Sequence, residues 1–170
     1  AKNHLIVLPD ANEEMASNDI IASMSGCAGQ RCMAASAMLG VGKIDSIINK
    51  VASKAKTIVA GKNLGSVISE EAKIRIEKYI EEAEKSGAKI ILDGRGVKVS
   101  GKENGYYVGP TILDHVKPEM KIAQEEVFGP VLAIMRTNEI DELELILVDP
   151  KQVEFTRYKD IPYLDEDGII

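Results

Sequence analysis

Ser25-Gly26-Cys27-Ala28-Gly29-Gln30-Arg31-Cys32, followed by Met33-Ala34-Ala35-Ser36-Ala37-Met38-Leu39, is the stretch on which the reading of this chain turns. Small residues make a turn, the turn ends on a thiol, and an alanine-rich run compatible with a helix comes next. A cysteine placed there stands near a helix N-terminus, where the backbone dipole and free N–H groups favour the thiolate. Arg31 adds a fixed positive charge beside it. The thiolate is the nucleophilic form, so Cys32 is a candidate for covalent catalysis; the alternative is a small buried hydrophobe. Cys27, among small residues with no charged neighbour, takes the buried reading.

Working outward, Leu5–Leu8 is an apolar run closed by Pro9-Asp10 and reads as a buried strand. Asp10 opens a helix over 11–24, with Glu13 and Glu14 in its first turn. Downstream, Ser36–Val41 reads as the end of the cysteine-proximal helix passing into a strand. Asp45 caps a helix carrying Ile47, Ile48, Val51, Ala55 and Ile58 at helical spacing, and 61–65 is a loop. Ser69 is the N-cap of a further helix through Ile76, Tyr79, Ile80 and Ala83 that stops at Gly87. Lys89–Leu92, Tyr107–Leu113 (interrupted by Gly109-Pro110) and Val131–Met135 are strands, and 97–106 is a polar loop or hairpin. Helices alternating with strands give an α/β domain.

Composition narrows the function classes. With no Trp, two Phe and five Tyr in 170 residues, the core must rest on Ile, Val, Leu, Ala and Met. A net charge of −6 argues against a nucleic-acid surface, which needs clustered cations. Two cysteines five apart, with only His4 and His115 as imidazoles, supply neither a disulfide framework nor a metal site. No apolar run approaches the ~20 residues of a membrane span, and no signal segment stands out; a reducing, cytoplasmic setting and no membrane partner are expected. Glu125-Glu126 could serve acid–base work or simply rim a loop. Gly40-Val41-Gly42 lacks the third glycine of a phosphate-binding turn.

Read together, two segments carry more. Gly29-Gln30-Arg31-Cys32-Met33-Ala34 and Gln124-Glu125-Glu126-Val127-Phe128-Gly129-Pro130-Val131 resemble, in order, the two signature segments of the aldehyde dehydrogenase superfamily. Between them, Tyr107-Val108-Gly109-Pro110-Thr111-Ile112 resembles that family's glycine-proline strand entry. Lys2-Asn3-His4 with Pro9-Asp10-Ala11-Asn12 narrows the likeness to the CoA-acylating methylmalonate-semialdehyde dehydrogenase branch. The resemblance covers residues 1–142.

This resemblance implies a catalytic-domain segment built on a mostly parallel open sheet flanked by helices. It implies Cys32 as the nucleophile that adds to a small semialdehyde, NAD as oxidant, and coenzyme A as acceptor of the resulting thioester. Arg31 would grip the substrate carboxylate, Glu126 the nicotinamide ribose hydroxyls, and Phe128 would lie beside the nicotinamide. Arg75 would approach the adenosine ribose. The family's full-length members are oligomers. Its dinucleotide-binding domain, oxyanion asparagine and hydrolytic base belong upstream of Ala1, so little activity is expected of these 170 residues alone. A non-catalytic truncated or fused remnant is one alternative. A hydrolytic NAD-dependent enzyme for neutral aldehydes is another, and Arg31 speaks against it. Residues 143–170 depart from the family; Leu145–Lys151, Val153-Glu154-Phe155 and Ile161-Pro162 resemble a fragment of FtsK/SpoIIIE-type DNA translocases. No phosphate loop precedes them, so no ATPase role follows, and an extended or partly disordered tail is expected.

Overall fold

The apolar runs form one five-stranded sheet in a computed structural model that describes residues 1–139. The expectations for the tail from residue 140 onward lie outside the described residues. The strands are β1 (Asn3–Val7), β2 (Ala35–Val41), β3 (Lys89–Leu92), β4 (Thr111–Asp114) and β5 (Val131–Thr137), in the order β1-β2-β5-β4-β3. The first four in that order run parallel; β3 is antiparallel to β4 at the edge. This is the mostly parallel α/β sheet that the resemblance implies.

The central strands are mostly apolar because both faces are covered. Along β2 and β5 the side chains divide by strict alternation. Met38, Leu132 and Ile134 pack with Ile20 and Met24 of α1 (Glu13–Ser25) and with Ile47, Ile48 and Val51 of α2 (Asp45–Ala55). Ala37, Ala133 and Met135 face the other way, onto Ile76, Ile80 and Ala83 of α3 (Glu70–Lys85). Ser69 caps α3 as its sequence requires, its hydroxyl accepting from the Ala72 N–H at 3.2 Å. A single helical turn, α4 (Lys121–Gln124), precedes the loop into β5.

Five local expectations change. Asp45 is the first residue of α2 and not its cap; Ile44 holds the cap position, with no side-chain bond to the helix. The run after Cys32 is a strand, β2, and not a helix. Alanine's helix preference is weak beside the demands of a central strand, where small residues are needed: Ala37 is fully buried, and a Cβ at Gly40 would meet Ile44 Cδ1 at 2.0 Å. Cys32 therefore has no helix dipole behind it. β1 is half-exposed rather than buried, with only Val7 inside, because β2 is its one partner among the described residues. The N-cap of α1 is Asn12, which accepts from the Met15 N–H at 3.0 Å, and not Asp10. β4 begins at Thr111, after Pro110, whose ring nitrogen has no hydrogen to give the ladder.

β1, β2 and β5 are adjacent and parallel, with Asn3 paired to Ala35 and Ala37 to Ala133. Their N-terminal ends therefore lie side by side. The residues just before those strands, namely Ala1-Lys2, Arg31-Cys32 and Glu126–Pro130, converge on one edge of the sheet.

Candidate active site

Cys32 is exposed at this edge, and its backbone is held from three sides. Asn3 Nδ2 donates to the Cys32 carbonyl at 2.5 Å and to the Ala34 carbonyl at 3.2 Å. The Ser23 hydroxyl on α1 accepts from the Ala35 N–H at 2.9 Å. Gln30 ties the loop to the segment before α3: its Oε1 accepts from the Ile68 N–H at 2.8 Å and its Nε2 donates to the Ser66 carbonyl at 3.3 Å. Cys27 is exposed as well, contrary to the buried reading. It sits with Ala28 and Gly29 in a run of left-handed backbone (φ 52°, 54° and 70°) that turns the chain from α1 toward Cys32. Non-glycine residues hold such angles only where neighbouring structure fixes them.

That structure is the second loop. A Cβ on Gly29 would stand 2.0 Å from the Gly129 carbonyl oxygen, and one on Gly129 would stand 2.6 Å from Ile76 Cδ1 of α3. The two backbones touch because Gly29 has no side chain there, and Ile76 packs close because Gly129 has none. The cysteine loop and the Glu126 loop are thus packed together, and α3 backs the pair.

Glu126 is exposed beside the start of β1. Lys2 is close enough to feel its charge. Burial lowers the Lys2 pKa to about 8, with Glu126 working against the shift. Lys2 Nζ has no hydrogen-bond partner among the described residues. Adjacent residues of the β1 segment therefore face both loops: Lys2 feels the charge of Glu126 and Asn3 bonds the Cys32 carbonyl.

Phe128 is half-buried with φ of 54°. Arg75, on α3, donates from Nη2 to the Val127 carbonyl at 3.4 Å, so it reaches the loop's backbone. Beside it, the Tyr79 hydroxyl donates to the Glu125 carboxylate.

Arg31 lies across the end of α1, where its Nη2 donates to the Ala22 and Ser23 carbonyls at 3.0 Å each. α1 has no basic residue in its last turn, so Arg31 supplies the cation that a helix C-terminus favours. A guanidinium has five donors, and the residue is exposed, which leaves N–H groups for a carboxylate.

The structure thus brings Cys32, Arg31, Glu126, Phe128 and Arg75 to one sheet edge and its flanking helix. Sequence reasoning missed Asn3, Gln30 and Tyr79 as their supports. Each acts across 29 or more positions. Periodicity carries no such signal.

A profile of the aldehyde dehydrogenase family matches residues 1–147. The chain is 43% identical over 155 residues to the mitochondrial, acylating methylmalonate-semialdehyde/malonate-semialdehyde dehydrogenase of Bos taurus, a match that spans 88% of this chain and 29% of the relative. It is 46% identical over 148 residues to the mitochondrial, acylating methylmalonate-semialdehyde dehydrogenase of Arabidopsis thaliana, covering 84% of this chain and 24% of that one. Among solved structures, a methylmalonate-semialdehyde dehydrogenase of Oceanimonas doudoroffii superposes with a TM-score of 0.81 at 35% identity, over 96% of this chain and 37% of that one. The Sinorhizobium meliloti protein described under the same activity, complexed with NAD, gives 0.80 at 37% identity over 84% and 30%. The chain spans less than a third of the length of these curated relatives. It belongs to the aldehyde dehydrogenase family.

Proposed function

We propose that this chain is the cysteine-bearing segment of an NAD-dependent, CoA-acylating dehydrogenase for malonate or methylmalonate semialdehyde. The observation that carries this reading is the packing of the Cys32 loop on the Glu126 loop through Gly29 and Gly129. Relatives named for that activity support it.

Cys32 adds through its sulfur to the aldehyde carbon, forming a thiohemiacetal. The Cys32 N–H donates to no backbone carbonyl among the described residues and can hold the developing oxyanion. Arg31, clamped by two helix carbonyls, presents its remaining N–H edge to the substrate carboxylate; two parallel bonds would fix the aldehyde beside the thiol. Glu126, Phe128 and Arg75 would hold NAD, which would supply the hydride acceptor for the oxidation that leaves a thioester on Cys32. The residues fit that cofactor: an exposed carboxylate at Glu126 suits a ribose diol, Phe128 is held half-exposed next to it, and Arg75 stands behind the same loop. The thiol of coenzyme A then displaces Cys32 from the acyl group, and the cysteine takes back a proton. Both cysteines are free, as a reducing, cytoplasm-like compartment would keep them.

The test joins the chain in one polypeptide to the upstream portion that its relatives carry, and compares turnover with and without coenzyme A. Cys32→Ser should abolish turnover. Arg31→Gln should raise KM for a carboxylated aldehyde far more than for a neutral one. Full activity in Cys32→Ser would sink the reading, and turnover indifferent to coenzyme A would replace the acylating assignment with a hydrolytic one.

A further inference from the structure

Three side chains on one face of α3 reach three alternate positions of the second loop. Tyr79 bonds the Glu125 carboxylate, Arg75 bonds the Val127 carbonyl, and Ile76 packs on Gly129. Residues 75, 76 and 79 are neighbours on a helix surface. Glu125 has extended backbone (φ −100°, ψ 151°), so the residue after it turns to the opposite side. There Glu126 lies near the start of β1, where the Lys2 ammonium feels its charge. The odd-numbered residues anchor the loop, and the even-numbered Glu126 is presented by it.

We propose that Tyr79 is a positioning residue for the cofactor side of the site: its hydroxyl, by holding Glu125, fixes the direction in which the next carboxylate points. This deepens the dehydrogenase reading and rests on it for the role of Glu126. Among the three anchors, Tyr79 is the one that acts on a side chain. Its ring packs against the core formed with Ile76 and Ile80, so the hydroxyl is delivered from a fixed base. The hollow around it is lined by Arg75, Lys78 and Glu82 of α3, Lys121 of α4, and Glu125. Without the phenol, Glu125 would be free to turn to Lys78 or Lys121, and the loop would follow. The Tyr79 pKa is raised, first by its bond to Glu125 and then by burial, with Arg75 opposing. A phenolate beside Glu125 would repel it, so the anchor is lost when Tyr79 ionises above the ordinary tyrosine range.

Tyr79→Phe, Glu125→Gln and the double variant test this, with backbone amide signals recorded by NMR on this chain and NAD added as the probe to the polypeptide that joins it to the relatives' upstream portion. The signals of residues 125–128 should move in the same way in both single variants, while those of β5 stay in place as a check on the fold. In the unsubstituted chain the same signals should shift at alkaline pH with the phenol, and in Tyr79→Phe they should not. NAD binding should weaken roughly tenfold in either single variant and no further in the double. Amides 125–128 unmoved in Tyr79→Phe, or moved equally with those of β5, would overturn the proposal. Moved amides with unchanged NAD binding would overturn the positioning role. An unsubstituted joined polypeptide that takes up no NAD at millimolar concentration would overturn the reading of Glu126 itself, and the amide signals would still decide the anchor.

Discussion

Gly29 packs on the Gly129 carbonyl so closely that a Cβ at Gly29 would stand 2.0 Å from that oxygen. Two residues a hundred positions apart thus fix the distance between the Cys32 loop and the Glu126 loop. Gly29→Ala meets both a left-handed φ of 70° and an unyielding backbone atom. It should cost about 3 kcal/mol or more by urea unfolding. Gly96→Ala is the control, with φ of 67° and open space around it; about 1 kcal/mol is expected there. Equal costs at the two positions would mean that the close approach does not hold the loops together.

Asn3 is the bridge from β1 to the Cys32 loop. Asn3→Ala removes the bonds to the Cys32 and Ala34 carbonyls and should cost about 1–2 kcal/mol. The loosened loop should also expose Cys32 further. Alkylation mapped by mass spectrometry should show Cys32 gaining in rate relative to Cys27. An unchanged ratio would show that the loop is held elsewhere.

Lys2 gives a signature in alkaline pH. Its folded pKa, about 8, lies below its ordinary 10.5, chiefly because burial disfavours the charge. Between those values the unfolded chain keeps a proton that the folded chain has released, so this group's contribution makes stability rise with pH. Lys2→Met should therefore be the more stable protein at neutral pH, and its advantage should shrink from pH 8 to pH 10. Denaturant midpoints across that range measure the difference; an advantage that grows with pH would contradict the assignment.

Asp114 works in the acid range. Its carboxylate is buried, which alone would raise its pKa, but Arg136 Nε and Nη2 at 2.8 Å and the His115 N–H at 2.8 Å bring it below the ordinary value. The stability it supplies is present above the unfolded aspartate pKa of about 3.9 and is lost as pH falls through the lower folded value. Arg136 also bonds Asp45 of α2, so the pair ties β4, β5 and α2 together. Asp114→Ala should cost about 2–4 kcal/mol at pH 7, less the exposed share of Arg136, and should flatten the acid limb of a stability–pH curve.

Much of this was legible in the chain itself. Glu13 and Glu14 in a first turn, Ser69 as a cap and the apolar run Val131–Met135 each announce their element by local chemistry. The Cys32 and Glu126 segments were recognisable as a pair, and the structure sets them side by side. The alanine-rich run after Cys32 misled because its residues are small for a tertiary reason: Ala37 and Gly40 are squeezed in a central strand. Asn3, Gln30 and Tyr79 left no local trace, since a side chain's distant partner is settled only when the strands take their order. The same holds for Arg31, whose grip on Ala22 and Ser23 depends on the turn at Cys27–Gly29.

In the proposed reaction Cys32 carries the acyl group. One turnover with malonate semialdehyde and NAD, without coenzyme A, followed by acid quench and mass mapping, tests this in a polypeptide that includes the relatives' upstream portion. An acyl thioester is expected on the peptide bearing Cys32 and none on the peptide bearing Cys27, with release of the adduct when coenzyme A is added before the quench. Aldehyde oxidised with Cys32 unmodified, or the adduct found on another residue, would rule out Cys32 as the acyl carrier.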